Sequence, residues 1–117
     1  SINDNYGHAI GDKVLAIFGE SARQVLREID VLSRWGGEEF LLLMPKTNNG
    51  HPNVGIERLR AYLACIEVSS ELPNLRIQFS VGFTCHQVGE SIYDTIKRAD
   101  SALYKAKAQG RNCTILN

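Results

Sequence analysis

The sequence predicts an α+β fold in which a sheet is flanked by helices. Three observations lead to this prediction. Apolar residues recur at spacings of three and four in three segments, a short hairpin pattern separates the first two, and a strictly alternating segment separates the last two. The 117 residues suit one small domain, so we expect a single domain over residues 1–117.

Each helical segment has one apolar stripe and therefore one buried face. The first covers about Ala9–Glu28, and the second begins near Pro52, which suits a first helical turn. The third opens at Ser91, which with Asp94 resembles a capping box, and Gly110 is a natural stop for it. The residues expected in the core are Val14, Phe18, Ala22, Val25, Ile29, Ile56, Leu59, Leu63, Ile66, Ile92, Ile96, Ala99, Leu103 and Ala106.

The remaining apolar segments read as strands. Val31–Trp35 and Phe40–Met44 flank Gly36-Gly37, which predicts a β-hairpin with a tight tip. Apolar and polar residues alternate over Leu75–Phe83, the period of a strand with one buried face. Cys113–Leu116 is a candidate final strand. The predicted order is therefore helix, hairpin, helix, strand, helix, strand.

The composition excludes several classes of protein. Lys and Arg number 13, as do Asp and Glu, so no overall charge favours a nucleic-acid partner. No apolar run is long enough to span a membrane, and no signal peptide is present. We expect a cytoplasmic domain whose parent protein can still be membrane-anchored elsewhere. Cys65, Cys85 and Cys113 are widely spaced, which favours reduced, mostly packed thiols over disulfides or a zinc site.

The hairpin tip, Gly36-Gly37-Glu38-Glu39-Phe40, is the most informative segment. Two glycines leave the backbone bare, so that a bulky ligand such as a triphosphate can approach closely. Adjacent carboxylates are costly to hold together unless a cation neutralises them. Magnesium takes oxygen ligands and shares them with substrate phosphates. The tip therefore indicates a metal–phosphate site, with a glycine turn and two solvated glutamates as the alternative.

Three motifs in order resemble the GGDEF family, the diguanylate cyclases. The tip is the GGEEF form of the name-giving motif, residues 3–12 match the IND-x-x-GH-x-x-GD segment, and residues 99–112 match the closing helix signature. The resemblance implies a nucleotidyl-cyclase or polymerase-palm-like fold with an antiparallel-rich central sheet. It also implies that two GTP molecules are joined into cyclic di-GMP across a homodimer, with Mg²⁺ or Mn²⁺ as the catalytic ion.

The resemblance also implies roles for single residues. Glu38 matches the metal-binding acid, and Glu39 matches its neighbour, which supports the site or helps to activate the attacking hydroxyl; a solvated hairpin residue is the alternative for Glu39. Asn3 and Asp12 match the guanine-reading positions. A carboxylate can accept from guanine's N–H donors, and an amide can both donate and accept. Helix capping is the alternative for both.

Lys107 and Arg111 match the cations that hold the triphosphate, while Gly36 and Gly37 give the substrate its bare backbone. Because Lys107 and Arg111 are four positions apart, we expect them on one helical face. A solvated basic helix end that complements the helix dipole is the alternative.

A second site is implied upstream of the hairpin. Arg27 and Asp30 match the family's RxxD product-inhibition motif at its usual offset from Gly36, and would bind cyclic di-GMP. Arg58 falls where some relatives add another inhibitory arginine.

The family's domain opens with a strand and an Asp-x-Asp-x-Phe-Lys segment that would precede Ser1. That segment supplies another metal-binding aspartate and a phosphate-contacting lysine. We therefore expect the 117-residue chain by itself to have little or no cyclase activity. Either a longer parent protein carries this segment or another chain fills the gap, and we expect an upstream sensory or receiver domain in the parent.

Two other functions compete with the enzyme. A non-catalytic GGDEF domain would sense GTP or cyclic di-GMP, and a scaffold would only dimerise. The acidic pair Glu38-Glu39 favours the enzyme, because a sensor has no need of it, and the near-complete set of ligand residues argues against the scaffold.

Overall fold

The computed structural model describes residues 5–36, 39–45, 53–112 and 114–116. In chain order the elements are α1 (His8–Val25), β1 (Val31–Gly36), β2 (Glu39–Leu43), α2 (Val54–Ala64), β3 (Val81–Phe83), α3 (Ile92–Ala108) and β4 (Thr114–Leu116). This order confirms the predicted α+β architecture. The chain divides into two compact units, Ser1–Ile77 and Gln78–Asn117, which are described separately below.

The core of the first unit lies around α2. Leu59 and Leu63 on this helix are almost fully buried, as are Ala22 of α1 and Val68 in the segment after α2. A buried leucine contributes about 1.5–3 kcal/mol relative to an exposed one, so α2 anchors this unit. The Tyr62 hydroxyl also donates a hydrogen bond to the Gln24 side-chain oxygen at 3.1 Å, tying α2 to α1. Pro52, the expected start of this helix, lies outside the described residues.

The predicted hairpin is confirmed. β1 and β2 pair antiparallel, with Val31 opposite Leu43 and Arg34 opposite Phe40. The register then shifts, so that Gly36 lies opposite Glu39. Such an irregularity increases the local twist of a strand and redirects the residues that follow it. On the face towards α1 the rings of Phe18 and Phe40 lie 4.9 Å apart, which holds the hairpin against that helix.

In the second unit α3 lies against a parallel pair of strands, with Val81 opposite Thr114. Ala102 and Ala106 of α3 are fully buried. The approach of helix and strand is unusually close at Gly82, where a Cβ atom would lie 2.1 Å from the Ala99 carbonyl oxygen. No side chain fits there, so the contact requires glycine. The Ser91 hydroxyl accepts a hydrogen bond from the Asp94 backbone N–H at 3.1 Å, which confirms the predicted cap of α3.

The long alternating segment forms a shorter strand than predicted. Only Val81–Phe83 of Leu75–Phe83 is a strand, although Ile77 is buried as the alternation requires. A strand needs a hydrogen-bonded neighbour, and among the described residues β4 pairs only with Val81–Phe83. The described strands consequently form two separate two-stranded sheets.

Two predicted core residues and two cysteines are placed differently. Ile29 is 50% exposed because it lies beyond the end of α1, and Ile92 is 64% exposed at the first position of α3. Cys65 and Cys85 are free thiols, as expected, but are exposed rather than packed. In the part of the chain that the structure describes, no helix has the length and apolar character needed to cross a membrane.

Candidate functional site

The hairpin tip places its flanking residues directly opposite one another. Gly36 ends β1 and Glu39 begins β2, and the two are paired. Glu39, which carries a carboxylate, is exposed. Gly37 and Glu38, the predicted substrate-binding glycine and metal ligand, lie outside the described residues. The register thus confirms the hairpin, with the exposed acidic residue Glu39 at the first position of β2.

Asp12 is an exposed residue within α1. The cap of this helix is Gly7, whose φ of 87° is available to glycine at little cost, and no side chain caps the helix. The capping alternative is therefore wrong for Asp12, because the residue lies past the positions where a carboxylate caps. Its exposure suits a ligand contact. Asn3, its predicted partner in guanine recognition, lies outside the described residues.

The basic pair of the second unit is built differently from the prediction. Lys107 lies in the last turn of α3, but the helix ends at Ala108. Gly110 and Arg111 then take left-handed conformations, with φ of 105° and 64°. The Arg111 backbone N–H donates to the Ala106 carbonyl oxygen at 3.1 Å, as in a Schellman motif. The expectation of one helical face is wrong, because a left-handed turn and not helical periodicity orients Arg111.

Lys107 and Arg111 are both exposed, so their side chains are accessible to a ligand. Lys105 and Lys107 are both in the last turn of α3. There a positive charge also complements the helix dipole, so for Lys107 that alternative stays open.

Arg27 and Asp30 are brought together as an ion pair. The Arg27 Nη2 and Nε atoms lie 2.8 and 3.2 Å from Asp30 Oδ1, and the Arg27 backbone N–H donates to Asp30 Oδ2 at 2.9 Å. Arg27 Nη2 also donates to the Pro45 carbonyl oxygen at 2.7 Å. The Asp30 side chain is 1% exposed and that of Arg27 is 43% exposed. Arg58, on α2, is exposed.

Comparison with known proteins decides the family. Residues 1–113 match the model of the diguanylate cyclase GGDEF domain. The chain belongs to the GGDEF family. The match covers the hairpin tip, the segment before α1, and the whole of α3 with the turn that follows it.

Relatives of this GGDEF domain are named as cyclases. The diguanylate cyclase DgcM of Escherichia coli is 42% identical over 111 residues, which cover 95% of this chain and 26% of DgcM. The chain thus spans about a quarter of that relative's length.

Solved structures give the same fold. Diguanylate cyclase SiaD from Pseudomonas aeruginosa, solved in complex with its activator SiaC, is 40% identical with a TM-score of 0.90, over 99% of this chain and 45% of that chain. The GGDEF domain of DgcB from Caulobacter crescentus, solved in complex with c-di-GMP, is 29% identical with a TM-score of 0.83, over 98% of this chain and 69% of that chain.

The donor chemistry of the tip fits a divalent ion. Glu39 offers an exposed carboxylate, the hard oxygen ligand that Mg²⁺ prefers. Within the described ranges no three His, Cys, Asp or Glu side chains are grouped as a metal site requires. The expected ligand Glu38 stands outside those ranges.

A polar network in the second unit of the GGDEF domain has no counterpart in the sequence analysis. Arg98 of α3 donates to the Glu90 carboxylate, to the Thr84 hydroxyl and, at 3.1 Å, to the Cys85 carbonyl oxygen. The Thr95 hydroxyl donates to Glu90 at 2.9 Å. No local pattern signals this network, since its members are separated by five to fourteen positions.

Glu90 is the acceptor at the centre of this network. The Gln87 backbone N–H lowers the pKa of the Glu90 carboxyl, desolvation opposes it, and hydrogen bonds from Thr95 and Arg98 lower it further. The carboxylate therefore stays ionised and holds the loop after β3 against α3.

A groove of about 720 Å³ lies between α1 and the hairpin. Its lining includes Leu15, Leu32 and Phe40, with the Glu20–Arg23 ion pair beside them. None of the predicted substrate or inhibitory residues lines it. The groove is mostly apolar.

Proposed function

We propose that this GGDEF domain is the catalytic domain of a diguanylate cyclase that condenses two GTP molecules into cyclic di-GMP. The observation that carries the proposal is the hairpin register, which closes at Gly36 and Glu39 and sets a bare backbone beside an acidic residue. The names of the relatives support it.

Glu38, with Glu39 beside it, is proposed as the metal-binding acid and catalytic residue. The family's reaction generally uses divalent ions, and we propose Mg²⁺, with Mn²⁺ as its substitute. Bound there, the ion would supply positive charge shared between the carboxylate and the phosphate oxygens.

The remaining residues bind and orient the substrate. In the first unit Asp12, with Asn3, accepts hydrogen bonds from guanine, and Gly36 and Gly37 leave room for phosphates. In the second unit Lys107 and Arg111 hold the triphosphate by charge-assisted hydrogen bonds.

The proposed reaction is symmetric. In a homodimer each domain holds one GTP, and each 3′-hydroxyl attacks the α-phosphate of the other GTP. Each new phosphorus–oxygen bond replaces the bond to the leaving pyrophosphate, and the hydroxyl proton passes to solvent as that bond forms. A two-fold axis makes the two steps equivalent.

We further propose that Arg27 and Asp30, with Arg58, bind cyclic di-GMP as an inhibitory site. The partly exposed guanidinium of Arg27, already fixed by Asp30, supports this role. The whole protein is proposed to be cytoplasmic or membrane-anchored, with an upstream sensory or receiver domain. A preceding segment would add the second metal-binding aspartate.

A sensor that binds cyclic di-GMP without making it is the second candidate. The Arg27–Asp30 pair favours it, because that pair is formed independently of any catalytic residue. The cyclase would make cyclic di-GMP from GTP and the sensor would not, so turnover distinguishes the two candidate functions.

The test is production of cyclic di-GMP by the full-length protein from GTP and Mg²⁺, measured by chromatography. Glu38→Gln removes the charge at nearly constant shape and should reduce turnover by about 100-fold or more. Glu38→Asp keeps the carboxylate and restores the GGDEF form of the motif, so it should retain activity. Binding of cyclic di-GMP by both variants should depend on Arg27. Product binding without any turnover by the wild type would establish the sensor instead.

A further inference from the structure

The turn after α3 carries an unusual backbone. Gly110, Arg111 and Asn112 have φ values of 105°, 64° and 46° in succession. Glycine adopts such values freely, but residues with a side chain do so only at a cost. Arg111 and Asn112 are the non-glycine residues with positive φ in the described part of the chain. Something in the surrounding structure must hold this turn in place.

Hydrogen bonds from two of its backbone N–H groups help to hold it. The Arg111 N–H bonds to the Ala106 carbonyl oxygen, which is local to the helix end. The Asn112 N–H donates to the Ser80 side-chain hydroxyl at 3.1 Å, across 32 positions of sequence. Ser80 directly precedes β3, and the pairing of β3 with β4 begins at the next residue, Val81. The Ser80 hydroxyl therefore joins the start of β3 to the turn.

The close contact at Gly82 limits how far β3 and α3 can move apart. It therefore also limits the length of the hydrogen bond between Ser80 and the Asn112 N–H. There β3 lies so close to α3 that a Cβ atom would meet the Ala99 oxygen and the Leu103 nitrogen. Gly82 is two residues past Ser80, so helix and strand have little freedom to slide near the turn. Ser80 and the Asn112 N–H are held in register by backbone packing.

We infer that Ser80 is a positioning residue for substrate binding: its hydroxyl holds the left-handed turn that presents Arg111 to the triphosphate of GTP. The inference rests on the proposed function, in which Arg111 binds that triphosphate. Without the hydroxyl, the turn loses its hydrogen bond from the Asn112 N–H to Ser80, which is one of the contacts that hold it against its own strain. Charge-assisted bonds depend steeply on distance and angle, so a small shift of the turn weakens phosphate binding.

The test uses a matched pair, Ser80→Thr and Ser80→Val, in the full-length protein. These two side chains have nearly the same shape and differ in the hydroxyl. We expect Ser80→Val to raise the KM for GTP about 3–10-fold over Ser80→Thr, as the loss of one hydrogen bond implies, with kcat changed less than about 2-fold. Ser80→Ala, which adds no atom, gives the same comparison against the wild type if the larger side chains prevent folding.

The same pair is then measured in an Arg111→Ala background. If Ser80 acts through Arg111, the KM ratio of the Val and Thr variants should fall to about 1 there, since residues in one chain of contacts are not additive. An unchanged ratio in that background would overturn the inference. So would a lower unfolding temperature of Ser80→Val with no change in KM, which marks a purely structural hydroxyl.

A separate measurement, on Arg111→Ala alone, tests the role of Arg111 in the proposed function. Arg111→Ala alone should raise the KM for GTP about 10-fold or more, the effect of losing a charge-assisted bond. If it does not, Arg111 is not a phosphate ligand and the inference falls with the proposed function. If it does, and the Ser80 pair shows no difference, only the inference falls.

Discussion

Arg27 and Arg111 are both assigned to ligand binding, yet the protein holds them in opposite ways. The Arg27 guanidinium is fixed by the Asp30 carboxylate and the Pro45 carbonyl oxygen. At Arg111 the backbone is fixed, and the guanidinium makes no hydrogen bond or ion pair with the residues that the structure describes. A fixed guanidinium must share or exchange protein bonds to take a ligand, whereas an uncommitted one has all its donors available. Substitution of Arg27 should therefore change stability as well as ligand binding, whereas substitution of Arg111 should change ligand binding alone.

The largest expected effect comes from displacing β3 at Gly82, where it packs against α3. Gly82→Ala would place a Cβ atom 2.2 Å from the Leu103 nitrogen as well as against the Ala99 oxygen. Because backbone atoms cannot turn aside, we expect a loss of roughly 3 kcal/mol in the free energy of unfolding, measured by urea denaturation.

The control for this substitution is Gly19→Ala in α1, where the added Cβ meets no described atom within 4 Å apart from its chain neighbours and the backbone of its own helix. It should be neutral or stabilising by up to about 1 kcal/mol, since alanine favours helix more than glycine does. Equal unfolding free energies for the Gly82→Ala variant and the wild type would show that the helix can move away, and that the close contact does not fix the turn.

Arg27→Ala tests the comparison at the arginine whose guanidinium is fixed by the protein. It removes the guanidinium from a carboxylate that is 1% exposed, so that Asp30 Oδ1 loses its donor while Oδ2 keeps the Arg27 backbone N–H. We expect the free energy of unfolding to fall by about 1–3 kcal/mol, the cost of an unsatisfied buried polar group. The midpoint of urea unfolding measures it.

Two variants serve as controls for that result, and both should be less destabilising than Arg27→Ala. Arg23→Ala breaks an ion pair whose side chains are 79% and 58% exposed, and should cost about 0–1 kcal/mol. Arg111→Ala should change stability by less than about 0.5 kcal/mol, as an exposed substitution does. If Arg27→Ala were no more destabilising than Arg111→Ala, the contrast between an arginine fixed by the protein and an uncommitted one would be lost.

The smallest expected effect is a pH dependence in the unit that carries Arg111. The pKa of the Glu90 carboxyl is lowered below its ordinary 4.5, chiefly by the Gln87 N–H. Since the folded state favours the ionised form, this group stabilises the protein above the ordinary pKa and loses that effect as pH falls through the lowered value.

The matched variant is Glu90→Gln, which keeps the shape and removes the charge. The difference in urea midpoint between wild type and variant should be present at pH 7 and shrink as the pH falls below about 4.5. A difference that stays constant across this range would show that the Arg98 and Thr95 bonds do not depend on the charge of Glu90.

Much of the fold was predictable because it follows from local patterns. The hairpin at Gly36, the cap at Ser91 and the stop near Gly110 depend on residues within a few positions, and each is confirmed. Where a partner strand was required, the pattern predicted too much: Leu75–Ser80 alternates like a strand but is not one in this structure.

The candidate site was predictable as a set of residues, but not in its geometry. Asp12, Glu39, Lys107 and Arg111 follow from motif resemblance, and their exposure agrees with ligand binding. The spacing of Lys107 and Arg111 led to the wrong geometry, since periodicity applies only while the helix continues, and it ends at Ala108.

By itself the sequence determined the order of the elements, the tight hairpin tip and the acids and cations proposed to act on GTP. Only the tertiary structure decided that Ser80 holds Asn112, that Gly82 touches the backbone of α3, and that Arg98 joins Glu90. The reason is physical. Local patterns report burial and hydrogen bonding over a turn or two, whereas these contacts depend on how closely one element packs against another, to within an ångström.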